Sequence, residues 1–295
     1  MKDFINIADF TGEQLKSLLE RAIGDKKLFR AGKLPASCKR KVLAIVFEKP
    51  SLRTRVSFEA AIVHLGGAAI NLTNADIGLG KREPVSDVSA VLGRMCDAVA
   101  ARTFSHETVQ GLAEHCSKPV INALTDYSHP CQAMADAMTA MEIFGDVRGR
   151  KLAFIGDGNN VARSLAILCE KLGMEFALAC PEGYELELDV AQTRDPREAV
   201  EGASVIYTDT WISMGQEDEK DKRIATFKPY QVHAELLASA PKDAVVMHCQ
   251  PAYRGYEITD EVMTAHAGTI FEEAENRLHV QRTLLDVLIA KGGIN

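Results

Sequence analysis

Apolar positions along the chain follow two alternating patterns. Continuous β-branched runs, such as Val42-Leu43-Ala44-Ile45-Val46-Phe47, predict buried strands at 42–47, 69–72, 98–102 and 119–123. Between them, apolar residues at spacings of three and four predict helices over 52–65, 86–95 and 106–116. Thr11-Gly12-Glu13-Gln14 reads as a capping box ahead of a helix carrying Leu15, Leu18, Leu19 and Ala22. A long helix over 130–144 stops at Gly145, and a second array then places strands near 151–156, 175–180, 204–208, 244–247 and 269–271. A last helix over 276–290 has Leu278, Arg282, Leu285 and Ile289 at helical spacing. Strands that alternate with helices make parallel sheets, so the pattern predicts an α/β chain: two doubly wound parallel-sheet domains of similar size joined by interdomain helices.

Length and composition agree with two domains. The chain has 295 residues, 46% hydrophobic and 25% charged, which is ordinary for a globular protein and too long for one average domain. Net charge is −7, from 34 basic and 41 acidic residues, which gives no electrostatic reason to expect nucleic acid or an anionic membrane as partner. The opening Met1-Lys2-Asp3-Phe4-Ile5 has no apolar core of signal-peptide length, and no later run approaches the roughly twenty apolar residues of a membrane span, so a cytoplasmic protein is expected. Seven cysteines without a Cys-x-x-Cys pair read as free thiols.

Ligands of open α/β sheets bind beyond the carboxyl ends of strands, and those positions carry unusual chemistry here. After the first strand comes Ser51-Leu52-Arg53-Thr54-Arg55, with Ser51 placed as N-cap and two arginines in the first helical turn. Cations at a helix N-terminus are disfavoured by the macrodipole, so an anion that draws on backbone N–H groups, hydroxyls and a guanidinium would offset the conflict. The alternative is a solvated arginine pair. Later strand ends carry Arg102-Thr103-Phe104, His129-Pro130-Cys131-Gln132, Gly156-Asp157-Gly158-Asn159-Asn160, Asp209-Thr210-Trp211-Ile212-Ser213-Met214-Gly215 and His248-Cys249-Gln250-Pro251.

In their order, these motifs resemble the aspartate/ornithine carbamoyltransferase family. The likeness rests on Phe-Glu-Lys-Pro-Ser-x-Arg-Thr-Arg at 47–55, His-Pro-x-Gln at 129–132, Asp-x-Trp-x-Ser-Met-Gly at 209–215, His-Cys-x-Pro-Ala at 248–252 and Glu-Ala-Glu-Asn-Arg at 273–277. The resemblance implies a carbamoyl-phosphate domain formed by 1–131 with a returning helix at 274–295, and an ornithine domain over 132–273. It also implies a homotrimer or an assembly of trimers, no metal, and no organic cofactor.

What the resemblance implies for residues can be stated chemically. Ser51, Leu52 through its backbone, Arg53 and Thr54 hold the phosphate. Arg102, His129 and Thr54 donate to the carbonyl oxygen that becomes an oxyanion, where one donor is worth on the order of 100- to 1,000-fold in rate. Gln132 and the carbonyl of Gln250 orient the carbamoyl amide, and Arg277 adds a further contact. Asn160, Asp209, Ser213 and Met214 hold the α-amino and α-carboxylate ends of ornithine. Cys249 and Asp209 attend its side-chain amine, which must arrive neutral to attack, and Cys249 also borders the bound carbamoyl phosphate. The loop 213–220 reads as a lid.

Taken singly, each signal has a plainer reading: Asn159-Asn160 as a helix cap, Asp209 as a strand end, His129 as a turn residue, Cys249 as an inert core thiol. His248 with Cys249 suggests metal, but no further ligand has suitable spacing in the sequence. Three positions depart from the family pattern: Leu52, whose side chain is expected to face inward, Gln250, and Gly78, where relatives carry a glutamine or histidine that reaches a neighbouring subunit. Rival functions are carbamoyl transfer to another amine such as an acylated ornithine, putrescine or aspartate, and a non-catalytic paralogue. A dinucleotide oxidoreductase is disfavoured because Gly156-x-Gly158 lacks the third glycine of the fingerprint.

Overall fold

The computed structural model describes residues 1–80, 82–213 and 216–294. The chain divides into two compact units, Met1–Met138 with Glu275–Asn295, and Thr139–Ala274.

In the first unit, α1 (Gly12–Arg30) begins at the expected capping box: Thr11 Oγ1 accepts from Gln14 N at 3.2 Å and Gln14 returns a carbonyl to Thr11 N at 3.0 Å. β1 (Val42–Phe47) is followed by α2 (Leu52–His64), β2 (Ala68–Thr73), the short α3 (Asn74–Ile77), α4 (Val85–Met95), β3 (Ala98–Arg102), α5 (His106–His115), β4 (Val120–Leu124) and α6 (Pro130–Phe144), which crosses into the second unit after Met138. The four strands are parallel in the order β2-β1-β3-β4. The chain leaves β1 for one edge and returns on its other side at β3. The carboxyl ends of β1 and β3 therefore form a topological switch point, where α/β sheets place ligands. One face packs Ala44, Val46, Val99, Ala101 and Val120 against Val88, Leu92, Val109 and Leu112 of α4 and α5.

The second unit repeats the logic with β5 (Lys151–Ile155), α7 (Asn160–Leu172), β6 (Glu175–Ala179), β7 (Ala191–Thr193), α8 (Pro196–Val200), β8 (Ala203–Thr208), α9 (Lys220–Phe227), α10 (Ala234–Leu237), β9 (Val245–His248), α11 (Asp260–Ala265) and the start of α12 (Ala267–Leu285), whose residues from Glu275 onward belong to the first unit. Strand order is β7-β6-β5-β8-β9, all parallel, with the switch point between β5 and β8. Both sheets are thus the parallel α/β sheets expected from the hydrophobic pattern. No helix among the described residues is long and apolar enough to cross a membrane.

Two elements differ from expectation. The strand expected at 269–271 is helical, because Thr269-Ile270-Phe271 lies within α12 and the fully buried Ile270 joins the core from a helix. A three-residue apolar run cannot distinguish the two states. The three-residue β7, Ala-Gln-Thr, has no strand signature and forms as an edge strand beside β6.

Candidate active site

In the first unit the site is built at the start of α2. Ser51 is extended, with φ −160° and ψ 119°, and its hydroxyl accepts from Thr54 N at 3.3 Å, which is the expected N-cap. Thr54 is thereby turned inward and is 1% exposed. Arg53 is half-buried on the same turn, whereas Arg55 is exposed and paired with Glu59 at 2.8 Å, an i,i+4 contact that holds the glutamate's carboxyl below its usual range. Leu52 is corrected: its side chain is 73% exposed, so only its backbone can serve an anion. Position 52 lies on the outer face of α2, the face shared by Val56 and Val63.

Two further elements bring polar groups to Thr54, and α6 joins them through Arg277. Arg102 ends β3, opposite Phe47 of β1 and, after a register shift, opposite Leu124 of β4. Its guanidinium lies 3.5 Å from Thr54 Oγ1. Arg277, from α12, places one nitrogen 3.3 Å from the same hydroxyl and donates another to Gln132 Oε1 at 2.6 Å. Gln132 in turn donates its amide to Asp136 Oδ1 at 2.7 Å, so its carbonyl and NH2 ends are assigned by their partners. Asp136 is a member that the sequence reading did not single out; its signal is the i,i+4 spacing from Gln132 on one face of α6. His129 precedes α6 and is buried. Burial, followed by the charges of Arg277 and Arg102, holds its imidazole well below the usual histidine range, so it is neutral near pH 7. Two buried guanidinium groups, a helix N-terminus and a neutral imidazole together make a pocket suited to a dianion with a polarisable carbonyl. Cys131, next in sequence, is different: burial pushes its thiol up to about 12 and its Sγ donates to Asn122 O, so it is an inert core residue.

In the second unit the chemistry converges on Asp209, just after β8. Its Oδ1 accepts from Cys249 Sγ at 2.7 Å and from Thr210 N at 2.7 Å, while Oδ2 accepts from Asn159 Nδ2 at 2.9 Å. Asn159 also caps α7, with Oδ1 accepting from Val161 N and Ala162 N, so a single amide joins the helix end to the carboxylate. Of the Asn159-Asn160 pair, the structure thus joins Asn159 to Asp209, with Asn160 beginning the helix beside it. Ser213 is half-buried, and its N–H donates to Gln216 Oε1 at 3.0 Å. Met214 lies outside the described residues.

Cys249 and Gln250 sit on a loop held by buried side chains. His248 N donates to Glu273 Oε2 at 2.9 Å, and Gln250 N donates to His248 Nδ1 at 2.9 Å. A backbone N–H can only donate, so Nδ1 is the acceptor and Nε2 carries the proton given to Glu257 Oε1 at 3.1 Å. This pairing holds Gln250 at φ +55°, in the left-handed region that non-glycine residues occupy at a cost of about 1–2 kcal/mol, with a cis bond to Pro251. Asp209, His248 and Cys249 bring three donor atoms within 4.8 Å of one another, so the sequence reading missed a third group of ligand type. Both ring nitrogens of His248 are already engaged, however, and the trio is arranged as a hydrogen-bonded cluster. Gly78 sits at φ +57° as the C-cap of α3, where an added Cβ would meet Arg82 Cβ at 2.8 Å. The glycine is therefore built into the turn's backbone.

Known proteins match both halves of the chain. Residues 2–142 match the family model "Aspartate/ornithine carbamoyltransferase, carbamoyl-P binding domain", and residues 148–288 match "Aspartate/ornithine carbamoyltransferase, Asp/Orn binding domain". Ornithine carbamoyltransferase of Carboxydothermus hydrogenoformans is 45% identical, with 98% of this chain and 97% of that protein covered. The anabolic ornithine carbamoyltransferase of Pseudomonas aeruginosa is also 45% identical, over 98% and 97% of the two chains. Among solved structures, ornithine carbamoyltransferase from Pyrococcus furiosus superposes with a TM-score of 0.94 at 42% identity, covering 99% of this chain and 97% of that one. Matched by both domain models and by relatives along nearly its whole length, the chain belongs to the aspartate/ornithine carbamoyltransferase family.

Proposed function

We propose that this protein transfers the carbamoyl group of carbamoyl phosphate to the side-chain amine of L-ornithine, giving L-citrulline and phosphate as a step of arginine biosynthesis. The observation that carries the reading is the convergence of Arg102 and Arg277 on the Thr54 hydroxyl, beside a neutral His129 and the capped start of α2. Ser51, Arg53, Thr54 and the backbone of Leu52 hold the phosphate. Arg102, His129 and Thr54 face the carbonyl oxygen. A neutral imidazole can donate one N–H to that oxygen without adding charge to the ground state, and its donation strengthens as the oxyanion forms. Gln132 and the Gln250 carbonyl align the carbamoyl NH2.

Asp209 and Cys249 receive the amine of ornithine, while Asn160, Ser213 and Met214 attend its α-amino and α-carboxylate end. The amine nitrogen attacks the carbonyl carbon, the bond from carbon to the phosphate oxygen breaks, and the departing phosphate takes the amine's proton, so no side chain is needed as a permanent base. The proposed lid over ornithine, 213–220, includes residues 214 and 215, which lie outside the described residues. The active assembly is a cytoplasmic homotrimer. Purified protein given carbamoyl phosphate and a panel of amines should form citrulline from ornithine far faster than product from putrescine, aspartate or an acylated ornithine. Absence of carbamoylated product from every amine would sink the reading.

A further inference from the structure

Arg223 lies outside every motif that marked the site, yet its side chain is only 3% exposed. It projects from α9, past the proposed lid, and its guanidinium spans two strand-end loops. Nε donates to the carbonyl of Trp211, two residues beyond Asp209, and a terminal nitrogen donates to Asp157, two residues before Asn159. Its flat faces are covered by Tyr184 and Phe227, each with its ring centroid 5.0 Å away, while Trp211 stacks on Phe227 and Tyr256.

These contacts close a circuit. Asp157 binds Arg223, and Arg223 binds Trp211. Trp211 is joined to Asp209 along the chain by Thr210, whose N–H donates to the Asp209 carboxylate at 2.7 Å and whose hydroxyl accepts from Ile212 N at 3.3 Å. Asp209 accepts from Asn159, and Asn159 N donates back to Asp157 O at 2.7 Å. The Asp209 carboxylate is thereby fixed from two sides, by Asn159 directly and by Arg223 through the loop backbone. Burial pushes the Asp157 carboxyl up against the pull of Arg223, as expected where little water remains to share the charge. The guanidinium donates from two separate nitrogens, Nε to the carbonyl and a terminal nitrogen to the carboxylate, whereas a lysine ammonium carries all its donors on one nitrogen at the end of a flexible stem and reproduces the charge but not the span.

We infer that Arg223 is a positioning residue for ornithine, clamping the loop after β8 to the loop after β5 so that Asp209 meets the amino acid in one geometry. The inference rests on the proposed role of Asp209 in ornithine recognition. It predicts a split between the two substrates, because the side chains proposed to hold carbamoyl phosphate, Cys249 excepted, belong to the first unit.

Arg223→Lys and Asp157→Asn should each lower kcat/KM for ornithine by on the order of 10- to 100-fold, the range expected when a positioning group is loosened. The double variant should be no worse than the poorer single one, since both break the same circuit. The Kd for carbamoyl phosphate, measured by calorimetry on the same preparations, should stay within about twofold of wild type. Folded variants with unchanged kcat/KM for ornithine would overturn the inference, as would equal losses toward both substrates, or loss of the near-ultraviolet circular dichroism signal in both single variants. Wild-type protein that makes no citrulline would instead defeat the proposed reaction. In that event the Kd for ornithine on protein loaded with carbamoyl phosphate reads the clamp directly, and equal values in wild type and variants would overturn it.

Discussion

Thr54 shows how much chemistry one small side chain can gather when the backbone around it is fixed. Its N–H is held by the Ser51 hydroxyl, and its own Oγ1 lies within 3.5 Å of Arg102 and 3.3 Å of Arg277. A hydroxyl has a single proton to donate and lone pairs to accept, so with guanidinium donors on its oxygen the proton is free to face substrate. Thr54→Ser keeps that proton and loses only a methyl group, whereas Thr54→Val keeps the shape and removes both functions. We expect Thr54→Val to lower kcat by about 100-fold or more and Thr54→Ser to stay within about tenfold of wild type, read from initial rates of citrulline formation. Similar rates for the two variants would show that the hydroxyl is packing and not chemistry.

At the scale of elements, what could be read from the sequence was whatever depends on local pattern. β1 and β3 are continuous apolar runs that end in polar turns, and both form where the pattern puts them. The cap at Ser51 was equally legible, because Ser-x-x-Thr after a strand states its own geometry. Two kinds of information were not. The direction of Leu52 depends on which face of α2 meets the sheet, and the roles of Asn159, Glu257 and Arg223 depend on partners 9 to 66 residues away that only tertiary folding supplies.

The helix α12 illustrates the second kind, since it buries Glu273, Asn276, Arg277, His279, Gln281 and Arg282 together, a composition that reads as surface. His279 carries a consequence for stability. Burial, opposed by its 2.9 Å bond to Glu275 and helped by Arg282 and Lys26, lowers its pKa from 6.5 to about 4. Between these values the unfolded chain binds a proton that the folded chain refuses, so stability is fully present above pH 6.5 and falls as pH drops toward 4. The slope is up to about 1.4 kcal/mol per pH unit. Urea titrations at pH 7 and 5 should show a smaller acid loss for His279→Asn than for wild type, and equal losses would count against a buried neutral imidazole.

For the whole molecule, the proposed trimer has a requirement that a single chain can be asked to meet. An assembly must cover apolar surface that one copy leaves in water, and large exposed apolar side chains are costly to leave in a contiguous stripe. On α2, Leu52, Val56 and Val63 are 73%, 56% and 59% exposed and fall on one helical face, at offsets of four and eleven residues. On α4, Val91 and Met95 are 47% and 75% exposed and stand four residues apart. Neither helix has a sequence reason to be apolar outward: each already supplies a separate inward face, Phe58, Ala61 and Ile62 in one case and Val88 and Leu92 in the other. With a net charge of −7, copies repel weakly at long range, so association has to come from such apolar stripes at contact. Sedimentation equilibrium should therefore return a mass near three chains for the wild type and near one for Val56→Glu combined with Val63→Glu, with the far-ultraviolet spectrum unchanged. A wild-type mass of one chain, or a trimer that tolerates both charges, would remove the outer face of α2 from the interface.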